Sequence, residues 1–191
     1  MNFDRIVLAS ASPRRLELLR QIGIEPEVVV SHVEERVTSS EPGEVVMELA
    51  GQKARDVAGE VTPGTLVIGS DTVVAVDGKI LGKPRDHEEA AGMIRMIAGR
   101  SHQVYTGVCM IVRKNGCEDR IRTFYDETDV EVYDMSEEEI LSYARSEEPM
   151  DKAGAYAVQG FFARYIRGLR GSYANVMGLP VSRLYQEMKE L

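Results

Sequence analysis

Apolar positions recur along this chain with two spacings, and the switches between them predict the elements. Ile6-Val7-Leu8 is an apolar, largely β-branched run that reads as a short buried strand. Leu16, Leu18, Leu19 and Ile22 then return at helical spacing, which predicts a helix over 13–22. Pro13 suits its first position, Ser12 its N-cap and Gly23 its stop. A second strand is expected over 26–30, followed by a polar, mobile loop over 34–43. Val46, Leu49, Ala50, Ala54 and Val57 form the stripe of a second helix over 43–58. Segments 66–68 and 73–76 are strands, with Gly69-Ser70-Asp71 between or within them.

The second half repeats these signals. Asp77-Gly78 and Asn115-Gly116 are hairpin turns. A helix over 86–98 carries a capping pattern, Asp86 with Glu89, and Ser136-Glu137-Glu138-Glu139 opens another that runs to about 146. Strands are predicted over 104–112, 120–125 and 128–133, and short ones over 155–158 and 165–169. Leu179-Pro180 starts the last helix, with Val181, Leu184, Tyr185 and Met188 inward. Helices mixed with hairpins define an α/β fold with a mixed sheet, because tight hairpins exclude a purely parallel one.

Bulk composition narrows the class. A chain of 191 residues has room for one domain, 1–191, with or without two lobes, and 43% hydrophobic with 28% charged content is ordinary for a globular protein. No apolar run approaches membrane-spanning length, and Met1-Asn2-Phe3-Asp4-Arg5 lacks the charged-then-apolar pattern of a signal peptide. Cys109 and Cys117 are too few for a disulfide framework and are expected as free thiols in a reducing cytoplasm. The net charge of −8 and the absence of Trp argue against nucleic acid as a partner. They leave room for a small anion held by a local cluster of Arg and Lys, with carboxylates to hold a divalent metal. The three histidines lack ligand spacing, so a His-based zinc site is not expected.

Against that background, the 8–15 segment is the first chemical signal. It carries Ser10 and Ser12 where a strand becomes a helix, and Arg14 and Arg15 in the first helical turn. A helix N-terminus offers free N–H groups and partial positive charge, which two arginines oppose unless an anion sits there. A phosphate chain would resolve the conflict; so would solvation of the arginines or pairing with nearby acids. Lys53 falls on the apolar stripe of the second helix and either snorkels outward or points at a cleft.

Asp71 follows an apolar strand, where α/β proteins place catalytic carboxylates; the bland alternative is a turn or cap aspartate. Val73 stands where a phosphatase motif would need a second aspartate. Lys83, between Gly82 and Pro84, has a constrained backbone, but no Walker motif is present. Gln159 lies between Val158 and Phe161-Phe162, and a partly buried amide there would suit reading a base edge, having both donor and acceptor. The 151–156 and 171–180 segments, rich in Gly and small residues, look like site-forming loops.

Several of these pieces occur in a fixed order. They are 8–15 with Glu17-Leu18-Leu19, Glu34-Glu35, 50–54, Ser70-Asp71-Thr72-Val73-Val74, Gly82-Lys83-Pro84, Tyr105-Thr106-Gly107, Asp151-Lys152-Ala153-Gly154 and 171–180. Each piece is weak alone; the ordered set, spanning nearly the whole chain, resembles the Maf family of nucleoside triphosphate pyrophosphatases. The resemblance implies an elongated α/β fold like that of inosine triphosphate pyrophosphatases, with an active cleft between two lobes. It implies hydrolysis of a nucleoside triphosphate to monophosphate and pyrophosphate in the cytoplasm, with a divalent cation, Mg²⁺ or Mn²⁺, and a homodimer as a family-level expectation.

By position it makes Asp71 the general base, or else a ligand of the metal that activates water. Arg14, Thr72 and Gln159 become specificity residues. Ser10, Arg14, Arg15, Lys53 and Lys83 become phosphate ligands, and Glu35 a metal ligand. The context of Gln159 and the 171–175 loop look like the branch acting on dTTP and UTP. Alternatives are a branch acting on a modified nucleotide such as 7-methylguanosine triphosphate, or a nucleotide-binding regulator of septum formation. Two positions depart from the family: Gly69 stands where Ala is frequent, a change that reads as minor, and Glu34 where Asp is frequent, which leaves open whether Glu34 or Glu35 meets the metal.

Overall fold

Strand β1 (Arg5–Leu8) passes into helix α1 (Pro13–Gln21) with Ser12 at the N-cap and Pro13 in the first turn. The computed structural model describes residues 3–191; Met1 and Asn2, which open the stretch read as lacking a leader pattern, lie outside the described residues. At the end of α1, Gly23 adopts a φ of 78° and its N–H closes onto the carbonyl of Arg20. Strand β2 is only Glu27–Val28, both exposed, in place of the five residues expected.

Helix α2 (Pro42–Ala58) leads to β3 (Thr65–Val76), which is one continuous strand of 12 residues. Gly69-Ser70-Asp71 therefore lies inside a strand and makes no turn. The Asp77-Gly78 hairpin, with φ of 50° and 75°, leads to β4 (Lys79–Leu81). Helix α3 (His87–Ile97) is capped by the Asp86 side chain, which accepts from the Glu89 N–H.

The long strands β5 (Ser101–Val112) and β6 (Arg120–Val132) follow, and β6 fuses the two strands expected over 120–133. Helix α4 (Glu137–Ala144) opens with the full capping box of Ser136 and Glu139. Residues 155–158 do not form the expected strand. Gly154 and Ala155 turn the chain at φ of 67° and 62°, and the path continues through short 3-10 turns at Ala153–Ala155 and Phe161–Tyr165. Strand β7 (Ile166–Arg170), the short helix α5 (Tyr173–Met177), not anticipated, and α6 (Val181–Met188) complete the chain. On α6, Val181, Leu184 and Met188 are buried, whereas Tyr185 is exposed, one step off that face.

The strands form a mixed seven-stranded sheet in the order β2-β1-β3-β5-β6-β7, with β4 beside β3. β1 runs parallel to β2 and β3, pairing Val7 with Val67 and Leu8 with Ile68, while β3–β4 and β6–β7 are antiparallel. The residues fall into two compact units. The first comprises the chain up to Asp71 with Thr106–Asp126 and Gly178–Leu191; the second comprises Thr72–Tyr105 and Glu127–Met177.

The core of the first unit joins Val7, Val67, Cys109 and Ile111 of the sheet to Ala50, Ala54 and Val57 of α2. Helix and sheet approach closely there because two glycines make room. A Cβ on Gly69 would lie 2.4 Å from the Ala50 carbonyl oxygen, and one on Gly107 would lie 2.2 Å from that of Val46. The departure at Gly69 therefore has structural weight, since α2 lies closer than an alanine there admits.

The loop expected to be mobile is laced to α2. Glu44, Glu48, Gln52 and Asp56, four residues apart on the helix, take Ser39 Oγ (2.6 Å), Thr38 N (2.8 Å), Arg36 N (2.9 Å) and Ser31 Oγ (2.7 Å). The hydrogen bonds to Ser31 and Thr38 hold the carboxyls of Asp56 and Glu48 below their ordinary range.

The core of the second unit surrounds Phe162, whose ring lies 4.9 Å from those of Tyr143 and Tyr156 and 5.4 Å from that of Tyr165. His102 is fully buried beside it, with Nε2 2.7 Å from the Tyr156 hydroxyl. Its Nδ1 has no hydrogen-bond partner among the described residues. Burial pushes the His102 pKa down to about 4, against a smaller pull from Asp129. Cys109 is buried and Cys117 exposed, and both are free thiols. Among the described residues, no helix is long and apolar enough to cross a membrane.

Candidate active site

Three elements of the first unit bring charges to one point. β3 supplies Asp71, α2 supplies Lys53 and the laced loop supplies Glu35. Lys53 Nζ lies 2.5 Å from Asp71 Oδ1 and 2.9 Å from Glu35 Oε1. The Lys53 and Asp71 side chains are only 17% and 16% exposed, while Glu35 is 48% exposed. Lys53 thus does not snorkel outward. Its stripe position carries it along the sheet-facing side of α2 to the strand that the Gly69 approach has brought near. Asp71 is equally not a turn or cap residue. One ammonium shared by two carboxylates leaves an excess negative charge, and both oxygens reach the same nitrogen, so a single cation can bridge them. Of the glutamate pair, Glu35 faces Lys53, and Glu34 pairs with Arg36 at the surface (3.1 Å).

The start of α1 is a brace. Arg15 Nη1 donates to Ser10 Oγ (3.0 Å) and Arg15 Nε to the Gly178 carbonyl (2.9 Å), which also accepts from Ser70 Oγ (3.2 Å). Ser10 Oγ further accepts from the Ser12 N–H at 3.2 Å. Burial pushes the Arg15 guanidinium below its ordinary pKa; Asp71 and Glu35 pull it up and Arg14 pushes it down. Those couplings place Arg15 within the field of the carboxylate cluster. Arg14 is half-buried one residue before it.

The second unit carries the other candidates. Thr72 follows Asp71 and is half-buried. Lys83 is exposed ahead of the buried Pro84, and the Gly82 carbonyl is fixed by the Gly154 N–H (3.0 Å). Gly154 tolerates no side chain, because a Cβ there would lie 2.7 Å from Val74 Cγ2. Gln159 is exposed, which corrects the reading of a partly buried amide. The chain turns from Ala157 to Gly160, whose N–H bonds back to the Ala157 carbonyl (3.1 Å), and this lifts Gln159 while Val158 and Phe162 stay buried.

Sequence reasoning named Gly107 only as part of an ordered motif, without its packing role, and missed two supports outright, the polar row on α2 and Glu148. The row was legible as Glu, Glu, Gln and Asp at intervals of four. Glu148 carried no signal of its own, because the backbone groups it holds lie 13 and 14 residues away.

The fold is shared with Ham1 structures at the level of architecture. The chain superposes on the Staphylococcus aureus Ham1 protein with a TM-score of 0.54 and 15% identity, covering 97% of this chain and 99% of that one. A HAM1 protein from Coxiella burnetii gives 0.54 and 16%, covering 98% and 99%. The expected α/β class of fold is therefore met. More narrowly, the chain belongs to the Maf-like protein family, whose model matches residues 5–191. It is 50% identical over 200 residues to the dTTP/UTP pyrophosphatase of Agathobacter rectalis, with 98% of each chain covered. It is 48% identical over 186 residues to that of Lachnoclostridium phytofermentans, covering 97% of this chain and 94% of that one.

Proposed function

We propose that this protein is a nucleoside triphosphate pyrophosphatase of the cytoplasm that hydrolyses dTTP and UTP to the monophosphate and pyrophosphate. The observation that carries the reading is the Lys53 ammonium held between Asp71 and Glu35. Curated relatives near half identity carry that activity in their names. The free thiols Cys109 and Cys117 suit a reducing compartment.

Hydrolysis needs a base for water, cations for a polyanion and a reader of the base. Asp71 Oδ1 is engaged by Lys53, which fixes the carboxylate and leaves Oδ2 to accept the proton of the attacking water. Lys53 has three donors; two go to carboxylates, and the third goes to a phosphate oxygen. Arg14 and Lys83 neutralise phosphate charge. Ser10 and Arg15 stand with Arg14 at the start of α1, Arg15 acting mainly through its field because its donors already hold Ser10 and Gly178. Thr72 and Gln159 choose the nucleotide.

Among the described residues, no group of three or more His, Cys, Asp or Glu is placed to hold a metal alone. Glu35 and Asp71, converging on one nitrogen, nevertheless fit the usual Mg²⁺ arrangement of one or two carboxylates completed by phosphates and water. When bound there, Mg²⁺ or Mn²⁺ supplies charge neutralisation on the triphosphate.

The test is a panel of nucleoside triphosphates incubated with the purified protein and Mg²⁺ or Mn²⁺, with both products quantified. Monophosphate and pyrophosphate from dTTP and UTP are expected. A folded protein that leaves every triphosphate intact, or releases orthophosphate instead, overturns the proposal.

A further inference from the structure

Glu148 opens a short 3-10 turn, Glu148–Asp151, and holds a second segment by hydrogen bonds to its backbone. Its Oε2 accepts from the Phe161 N–H at 2.7 Å, and its Oε1 from the Phe162 N–H at 3.2 Å and from the Tyr143 hydroxyl at 2.9 Å. These two N–H groups open the Phe161–Tyr165 turn, whose own N-cap, Gly160, makes no side-chain capping bond. Gly160 passes so close that a Cβ on it would overlap the Glu148 carboxylate. Only a carboxylate supplies two oxygens that both accept; an amide would set an NH₂ group against one of the donors. Tyr143 is well suited to donate, since burial and then Glu148 push its hydroxyl pKa up.

The clamp fixes residues 160–162, immediately after Gln159. On the other side of Gln159, Ala157 and Val158 are buried, and Gly160 N–H bonds to the Ala157 carbonyl. Gln159 therefore rides on a turn secured at both ends, although the residue itself is exposed. We infer that Glu148 is a positioning residue for base recognition: it clamps the 160–162 backbone and thereby sets where the Gln159 amide meets the nucleobase. This inference rests on the proposed role of Gln159 in choosing the nucleotide.

The test uses the full chain in five forms: wild type, Gln159→Ala, Glu148→Gln, Glu148→Ala and the double variant Gln159→Ala with Glu148→Gln. KM and kcat are measured on dTTP, UTP and the purine triphosphates, with amide hydrogen exchange at Phe161 and Phe162 in parallel. Glu148→Ala should raise KM for dTTP by about tenfold with a smaller change in kcat. It should shrink the pyrimidine-to-purine ratio toward that of Gln159→Ala and speed exchange at both amides. Glu148→Gln, keeping one acceptor, should fall between, and serves if the alanine variant does not fold.

Adding Glu148→Gln to Gln159→Ala should change the ratio no further. A uniform fall in kcat on every nucleotide with the ratio kept, or unchanged exchange, overturns the positioning role. If Gln159→Ala shifts the ratio and neither Glu148 variant does, this inference fails and the base assignment stands. If Gln159→Ala leaves the ratio unchanged in an active enzyme, both fail; an inactive wild type overturns the enzyme reading itself.

Discussion

Acidification from about pH 7.5 to about pH 5 should destabilise the protein through one buried imidazole. His102 is fully buried against Tyr156, and its pKa lies at about 4 in the folded chain. In the unfolded chain the ordinary value is about 6.5. Above that value both states are neutral, and the stability is complete. Between the two values only the unfolded chain binds the proton, so stability falls as pH falls; below about 4 both states are protonated and the loss stops.

At about pH 5 the linkage amounts to roughly 2 kcal/mol, or a fall in Tm of roughly 4–8 °C for a chain of this size. The assay is thermal or urea unfolding across the window for wild type and His102→Gln, which keeps a polar group for Tyr156 but does not titrate. The variant should be less stable overall yet should lose about 2 kcal/mol less on acidification. Equal losses in both proteins would refute the argument, because the proton would then be binding elsewhere.

Other expectations concern the charge cluster and its support. Asp71→Asn should fold with an unchanged Tm and lose turnover by roughly 10²–10⁴, read in the pyrophosphate assay; retained turnover removes Asp71 from the chemistry. Lys53→Met leaves Glu35 and Asp71 facing each other, so it should destabilise by roughly 1–3 kcal/mol in urea unfolding, and Glu35→Gln should restore part of that; no restoration would mean the carboxylates are not coupled. Gly107→Ala should lower stability by roughly 1–3 kcal/mol, because the added methyl meets helix backbone rather than a flexible side chain; a neutral result in thermal unfolding would mean α2 can retreat freely.

What could be read from the sequence followed a physical divide. The boundaries of α1, α3 and α4 were legible because caps and stops are local chemistry: Pro13 and Gly23, Asp86 with Glu89, Ser136 with Glu139. The free thiols and the mixed sheet were legible as well. Local reading failed where a glycine serves a distant neighbour. Gly69 could be read as lying between two strands or within one, and nothing local told that its missing side chain accommodates α2. Polarity likewise made residues 34–43 look mobile, because the partners that hold that loop lie on α2.

At the site, Asp71 and Lys53 stood out as charges in apolar surroundings, and the structure pairs them. Gln159 was misjudged because apolar neighbours in sequence do not bury a residue at the crest of a turn. The brace role of Arg15 depends on Gly178, 163 residues away, and no local pattern encodes it.

The polar row on α2 divides the charge cluster into a permanent half and a detachable one. Asp71 and Lys53 stand on a core strand and a core helix, so they separate only if the first unit itself opens. Glu35 arrives on a loop held to α2 by hydrogen bonds, of which those at Glu48 and Asp56 favour the ionised carboxyl. Protonating those carboxyls weakens the attachment without touching the sheet. Whatever detaches that loop removes Glu35 and leaves the Lys53–Asp71 pair, taking the cluster from two carboxylates around one ammonium to one.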